Sequence, residues 1–217
     1  MEEKIGKGIF LTFEGPEGSG KSTQSELIYK CLASDGYPVL RTFEPGGTEL
    51  GKKIRDILLD KEDIRLGSLA ELLLFEADRA QHMEEVIIPA LRRNKIVISD
   101  RFNTATFAYQ GYGLGMDMEF IGKIDESVRG KVMPDLTIVL DVDVVTGIAR
   151  ATPEGKADRM EKRDMGFHSR VREGYLDIAK TMPEKIKVID TAGSIGEVHE
   201  KVKREVYAFI EGHKRTA

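Results

Sequence analysis

The chain has 217 residues, a formal net charge of −4, and 41% hydrophobic and 32% charged residues, which suits a globular domain with a core of its own and excludes extensive disorder. The acidic balance argues against a general nucleic-acid binder, which needs a basic surface to displace phosphate counterions. One cysteine, Cys31, excludes an internal disulfide and fits a reducing compartment. With no long apolar run and no signal-peptide core in MEEKIGKG, a cytoplasmic protein without membrane association is expected.

The first predicted strand is residues 9–13, IFLTF, and the next segment, GPEGSGKST at 15–23, fits the pattern G-x-x-x-x-G-K-[ST]. In this loop glycines let backbone N–H groups converge on phosphate oxygens, the lysine neutralises the outer phosphates and the hydroxyl ligates Mg²⁺. The residues concerned are Gly15, Pro16, Glu17, Gly18, Ser19, Gly20, Lys21, Ser22 and Thr23. A helix is predicted over 22–34, where Leu27, Ile28, Cys31 and Leu32 share a face, so Cys31 is expected to be a buried thiol. Strand, loop and helix stand in the order the motif needs; a glycine-rich turn without a ligand is the bland alternative. Glu17, a carboxylate in the middle of an anion cradle, demands an explanation.

Further strands are predicted at 39–43, 96–99, 136–140 and 187–189, with long helical stretches at 66–93 and 163–180. Alternating strands and helices point to βαβ units on one parallel sheet. Asp100 and Asp141 follow two of the strands, at the carboxyl edge where open α/β sheets bind ligands. The segment ATPEGKAD at 151–158 reads as an exposed, mobile flap, and no linker divides the chain, so 1–217 is expected to be one domain.

The loop alone leaves GTPases, motor ATPases, small-molecule kinases and nucleotide kinases open. DTAG at 190–193 imitates a GTPase motif, but no N-K-x-D guanine reader occurs. It reads either as a turn beside the ATP base or as a plain β-to-helix turn capped by Ser194. Asp100 and Arg101 set a carboxylate beside a guanidinium, which suits charge stabilisation in phosphoryl transfer; an ion pair at a helix start is the alternative. Phe75 and Arg79 share a helical face, yet spacing alone favours Phe75 in the core and Arg79 in solvent. Thr106, Tyr109 and Gln110 could reach a sugar and base or simply pack. His82, His168, His199 and His213 lack metal-ligand spacing and are assigned surface or packing roles.

Together, FEGPEGSGKST (13–23), EPGGTELGKKIRDILL (44–59), LLLFEADRAQH (72–82), DRF (100–102), AYQG (108–111) and DRME (158–161) resemble the thymidylate kinase family over nearly the whole chain. The resemblance implies a three-layer P-loop NTPase fold, α/β, with a five-stranded parallel sheet flanked by helices and a short flexible lid at about 150–160. It implies ATP-dependent phosphorylation of dTMP to dTDP, with Mg²⁺ at Ser22 and Asp100, in a homodimer. Phe75 would stack on thymine, Arg79 would bond its carbonyl, Thr106 and Gln110 would contact the base, and Tyr109 would crowd the sugar 2′ position. Glu44 and Pro45, the latter after a cis bond, would border the acceptor site, with Arg101 and Arg55 on its phosphate. Glu17 would face the acceptor's 3′-hydroxyl rather than ATP. With no arginine in the loop, the lid must supply the cation, from Arg150, Lys156 or Arg159; relatives carry the lid arginine at the position of Glu154, before Gly155. Phe43 also departs from the resemblance, which has arginine there. A kinase for another pyrimidine monophosphate and a non-catalytic nucleotide-binding protein are the competing readings.

Overall fold

The structure, a computed structural model, describes residues 8–59, 65–152 and 158–216. Lys156, with Glu154 and Gly155, therefore lies outside the described residues. Among those described, the strands β1 (Ile9–Glu14), β2 (Val39–Phe43), β3 (Ile96–Asp100), β4 (Leu136–Asp141) and β5 (Ile186–Asp190) form one parallel sheet in the order β2-β3-β1-β4-β5. Helices cover both faces, so alternate residues of one strand enter different cores. Ile9, Leu11 and Phe13 pack with Ile28 and Leu32 of α1 (Lys21–Ser34) and with Val198, Val202 and Val206 of α9 (Ile195–Thr216). Phe10 faces the other way, onto Met83, Ile87 and Phe102. This burial on both sides explains why β1 and β3 read as nearly continuous apolar runs. The buried Thr12 and Thr137 hydroxyls satisfy each other across β1 and β4 at 2.8 Å.

The helix expected over 66–93 is α3 (Ser68–His82), a π-helical turn at Met83–Ile87 and α4 (Ile88–Arg92). Pro89 lacks an N–H and its ring crowds the preceding turn; the widened turn just before it takes up the mismatch. Cys31 is half-buried rather than buried, and His199 of α9 sets its Nε2 3.5 Å from Sγ. The remaining helices are α2 (Glu49–Leu59), α5 (Asn103–Thr106) continued by a π-helical segment (Phe107–Gly113), α6 (Met118–Arg129), α7 (Val144–Ala151) and α8 (Met165–Thr181). Register brings Phe13, Phe43 and Asp100 side by side and sets Asp141 against Asp190. The chemistry-bearing ends of the strands thus meet along one edge.

Candidate active site

Between β1 and α1 the chain turns through Gly15 at φ +135° and Gly18 at φ +65°, conformations that side chains rarely adopt. A Cβ would also lie 2.3 Å from the Leu140 carbonyl at Gly15 and 1.9 Å from the Gly147 carbonyl at Gly18, so the loop closes on β4 and α7 only as glycine. Lys21 is buried, and its Nζ donates to Pro16 O at 2.7 Å and Ser19 Oγ at 3.2 Å. Burial, and then the Arg101 charge, push its pKa down to about 8. Ser22 Oγ donates to Asp100 Oδ2 across the gap between α1 and β3. A cavity of about 880 Å³ opens over this loop, lined by residues 17–24 with Asp100, Arg101 and Arg150.

Glu17 does not point into that loop. Its Oε1 accepts from Arg101 Nη2 at 2.9 Å and from the Tyr109 hydroxyl at 2.7 Å. Burial raises its pKa, but Arg101, Lys21 and the Tyr109 hydrogen bond outweigh that and hold it at about 2. Arg101 itself has φ +72°, a strained position for a non-glycine residue. It is over-determined there: its N–H donates to Phe13 O at 2.9 Å, Ser99 Oγ donates to its carbonyl at 2.7 Å, and Nη1 donates to Gly15 O at 3.3 Å and the Tyr175 hydroxyl at 3.2 Å.

Beside the loop cavity lies a slot of about 110 Å³ that meets it at Glu17, Glu44, Arg55, Arg101 and Asp158. Phe75, Arg79, Thr106, Tyr109, Gln110 and Pro45, whose preceding bond is cis, line the slot. Arg79 is 2% exposed, the opposite of what spacing alone favours. Its Nε donates to Glu44 at 3.0 Å, Nη1 donates to Glu76, and the guanidinium lies 5.2 Å from the Phe102 ring centre. Burial lowers its pKa, but Glu44, Glu76 and Asp125 together raise it, so it stays charged. Arg55 donates to Pro45 O at 2.7 Å and stacks 5.8 Å from the Phe43 ring centre, so the departure at Phe43 has a packing partner.

Several residues at this site had no local signal. Glu14, the last residue of β1, is wholly buried. It accepts from Phe102 N at 2.8 Å, Ala105 N at 3.3 Å and the Tyr175 hydroxyl at 3.0 Å. Burial pushes its pKa up to about 7 against the pull of Arg101. Tyr175 comes from α8, far along the chain, and could be found only by folding. His82 is buried, with Nδ1 2.9 Å from Glu44 and Nε2 2.6 Å from Thr42 Oγ1; its place one turn after Arg79 was the available clue. Among the described residues no group of His, Cys, Asp and Glu forms a metal-holding cluster.

Thr191, Gly193 and Ser194 line the loop cavity, while Ser194 Oγ and Glu197 form reciprocal cap bonds at the start of α9. The cap reading of DTAG is thus met, in a turn that also borders the loop cavity. Of the cations expected to act from the lid, Arg150 borders the cavity. Arg159 does not: its Nε donates to Leu58 O at 2.8 Å and its Nη1 to Glu71 at 2.5 Å. That corrects the expectation for Arg159, whose guanidinium is held by the buried Glu71 carboxylate rather than at the loop cavity.

A phosphate-type loop and an enclosed, arginine-bearing slot, joined end to end at the carboxyl rim of a five-stranded parallel sheet, define a P-loop kinase fold. A model of the family described as thymidylate kinase matches residues 13–202. A thymidylate kinase from Halothermothrix orenii is 46% identical over 209 residues, covering 95% of this chain and 98% of that one. One from Ectopseudomonas mendocina is 42% identical, covering 94% and 97% respectively. A solved thymidylate kinase from Ehrlichia chaffeensis superposes with a TM-score of 0.78 at 38% identity, covering 92% of this chain and 99% of that one. The chain belongs to the thymidylate kinase family. No helix among the described residues is long and apolar enough to cross a membrane.

Proposed function

We propose that this enzyme transfers the γ-phosphoryl group of ATP to dTMP, giving ADP and dTDP. The observation that carries the proposal is the continuity of the two cavities through Glu17 and Arg101, which lets donor and acceptor phosphates meet in line. ATP lies on residues 15–23, with the Lys21 ammonium on its outer phosphates. The arriving polyphosphate adds negative charge that offsets the burial opposing the Lys21 charge. dTMP fills the slot, its ring against Phe75 and its carbonyl on Arg79, with Thr106 and Gln110 along the base edge.

Arg101 lines both cavities and bridges the phosphates, meeting with fixed positive charge the charge that develops in the transition state. Arg55 assists on the acceptor side and Arg150 on the donor side. Glu17, ionised and tied to Arg101 and Tyr109, is turned to the acceptor's sugar. That answers why a carboxylate sits in an anion loop. Tyr109 crowds the 2′ position and favours deoxyribose.

The hydroxyl of Ser22 and the carboxylate of Asp100 form an all-oxygen pair at the loop, a donor set that fits Mg²⁺. When bound, Mg²⁺ would neutralise phosphate charge and orient the oxygens. A homodimer is supported by exposed apolar side chains on the packed helices α2, α3 and α6, namely Leu50, Ile57, Leu69, Leu73, Met118 and Phe120.

The test is a panel of nucleoside monophosphates with ATP and Mg²⁺ in a coupled ADP assay. dTMP should give the highest kcat/KM. A higher value for another monophosphate, or ATP binding without ADP release, would refute the proposal.

A further inference from the structure

One polar group in the slot has its orientation dictated from outside. Gln110 is 1% exposed, lines the slot and donates through Nε2 to Glu71 Oε1 at 3.0 Å. Glu71 is wholly buried on α3, one turn before Phe75 and on the same face. Its other oxygen, Oε2, accepts from Arg159 Nη1 at 2.5 Å and Arg163 Nη2 at 3.0 Å. Arg159 is anchored in turn on Leu58 O, and the Arg163 guanidinium lies 5.3 Å from the Phe167 ring centre. The carboxylate is thus immobilised from both sides, and a carboxylate gripped by two guanidinium groups can only accept. A glutamine amide has two nearly isosteric orientations; here only one presents its nitrogen to Glu71. The reverse would press a carbonyl oxygen against a buried anion.

We infer that Glu71 is a positioning residue for base selection: by turning the Gln110 amide nitrogen away, it leaves the carbonyl oxygen as the group offered to the base. The slot then carries an acceptor for a ring N–H beside the Arg79 donor. Thymine and uracil match that pattern with N3–H and O4. Cytosine opposes it, with an unprotonated N3 facing an oxygen and an amino group facing a guanidinium. In an enclosed site such mismatches leave polar groups unpaired, and this rejects a substrate far more strongly than a missing methyl group does. The inference rests on the dTMP reading of the slot and assigns the selecting polarity to a residue that does not line it.

The probe is 5-methyl-dCMP, which keeps the outline of thymine while inverting its hydrogen-bond pattern. In wild-type enzyme kcat/KM should favour dTMP over 5-methyl-dCMP by at least about 100-fold. Glu71→Gln supplies an amide that can accept from Gln110 or donate to it, so Gln110 can turn round. The ratio should narrow by about ten-fold, mainly through KM. Arg163→Met weakens the ion pair on the same carboxylate but spares the Glu71–Gln110 bond, and should lower the melting midpoint while leaving the ratio unchanged. An unaltered ratio in Glu71→Gln, or an equal shift in Arg163→Met, overturns the inference. Should Glu71→Gln not fold, comparable wild-type efficiency on both nucleotides would overturn it without any variant. Absence of dTMP turnover in wild type would instead remove the reading of the slot, a different signature.

Discussion

The phosphate end of the cleft is assembled from consecutive residues, 15–23, whose glycines and lysine act through backbone geometry. The base end is assembled from side chains of the turn after β2, of α2, of α3, of α5 with its π-helical continuation, and of Asp158 and Met160. There Arg79 is shared among Glu44, Glu76 and, at 4.0 Å, Asp125. At the first end charge is waiting for a partner from outside; at the second it is already matched from within. The first end should therefore respond to mutation in turnover and the second in stability as well, since removing one member of a buried ion pair strands the others.

The largest effect expected is at Lys21. Lys21→Ala should lower turnover by more than about 1,000-fold in a coupled assay, through loss of charge stabilisation. Because burial already opposes the Lys21 charge, the ligand-free variant should unfold at no lower denaturant concentration than wild type. A large loss of stability would erase the distinction between the two ends.

Arg79→Met should do the reverse, costing about 3–5 kcal/mol of stability in urea unfolding by leaving Glu44 and Glu76 without their cation. A near-neutral result would mean that the carboxylates take up protons readily and that the network is slack. Arg101 stands where the two ends join, so Arg101→Ala should cost about 100- to 1,000-fold in kcat. A two-fold change would tell against a bridging role.

The smallest and most diagnostic effect concerns Glu14. Its folded pKa of about 7 lies above the ordinary 4.5, so the folded protein holds the proton more tightly than the unfolded chain. The associated stability is full below pH 4.5 and is lost as the pH rises through 7, by up to about 3 kcal/mol. In Glu14→Gln that decline should vanish, leaving a flatter curve of stability against pH than wild type. Parallel curves for the two proteins would mean that the Glu14 pKa is the same in the folded and unfolded states.

The P-loop was legible because its function lies in backbone torsions and short spacing; the slot residues were legible only through the family resemblance, because spacing alone says nothing of burial. Spacing placed Arg79 in solvent, and only the arrival of Glu44 from the end of β2 and Asp125 from α6 makes its burial tolerable. Arg159 was read toward the phosphates from its place in the chain. Glu71, wholly buried, holds it instead, together with Arg163, because a carboxylate in the interior is costly unless it is paired and hydrogen-bonded.

From the amino-acid order alone came the strands, the phosphate loop and the acids at the strand ends, since each depends on local propensity and on contacts within a few residues. Folding alone decided the direction of Glu17, the strained seat of Arg101 under Tyr175 and Glu14, and the polarity of Gln110. These depend on which distant charges share a low-dielectric interior, where a hydrogen bond or ion pair outweighs any local preference.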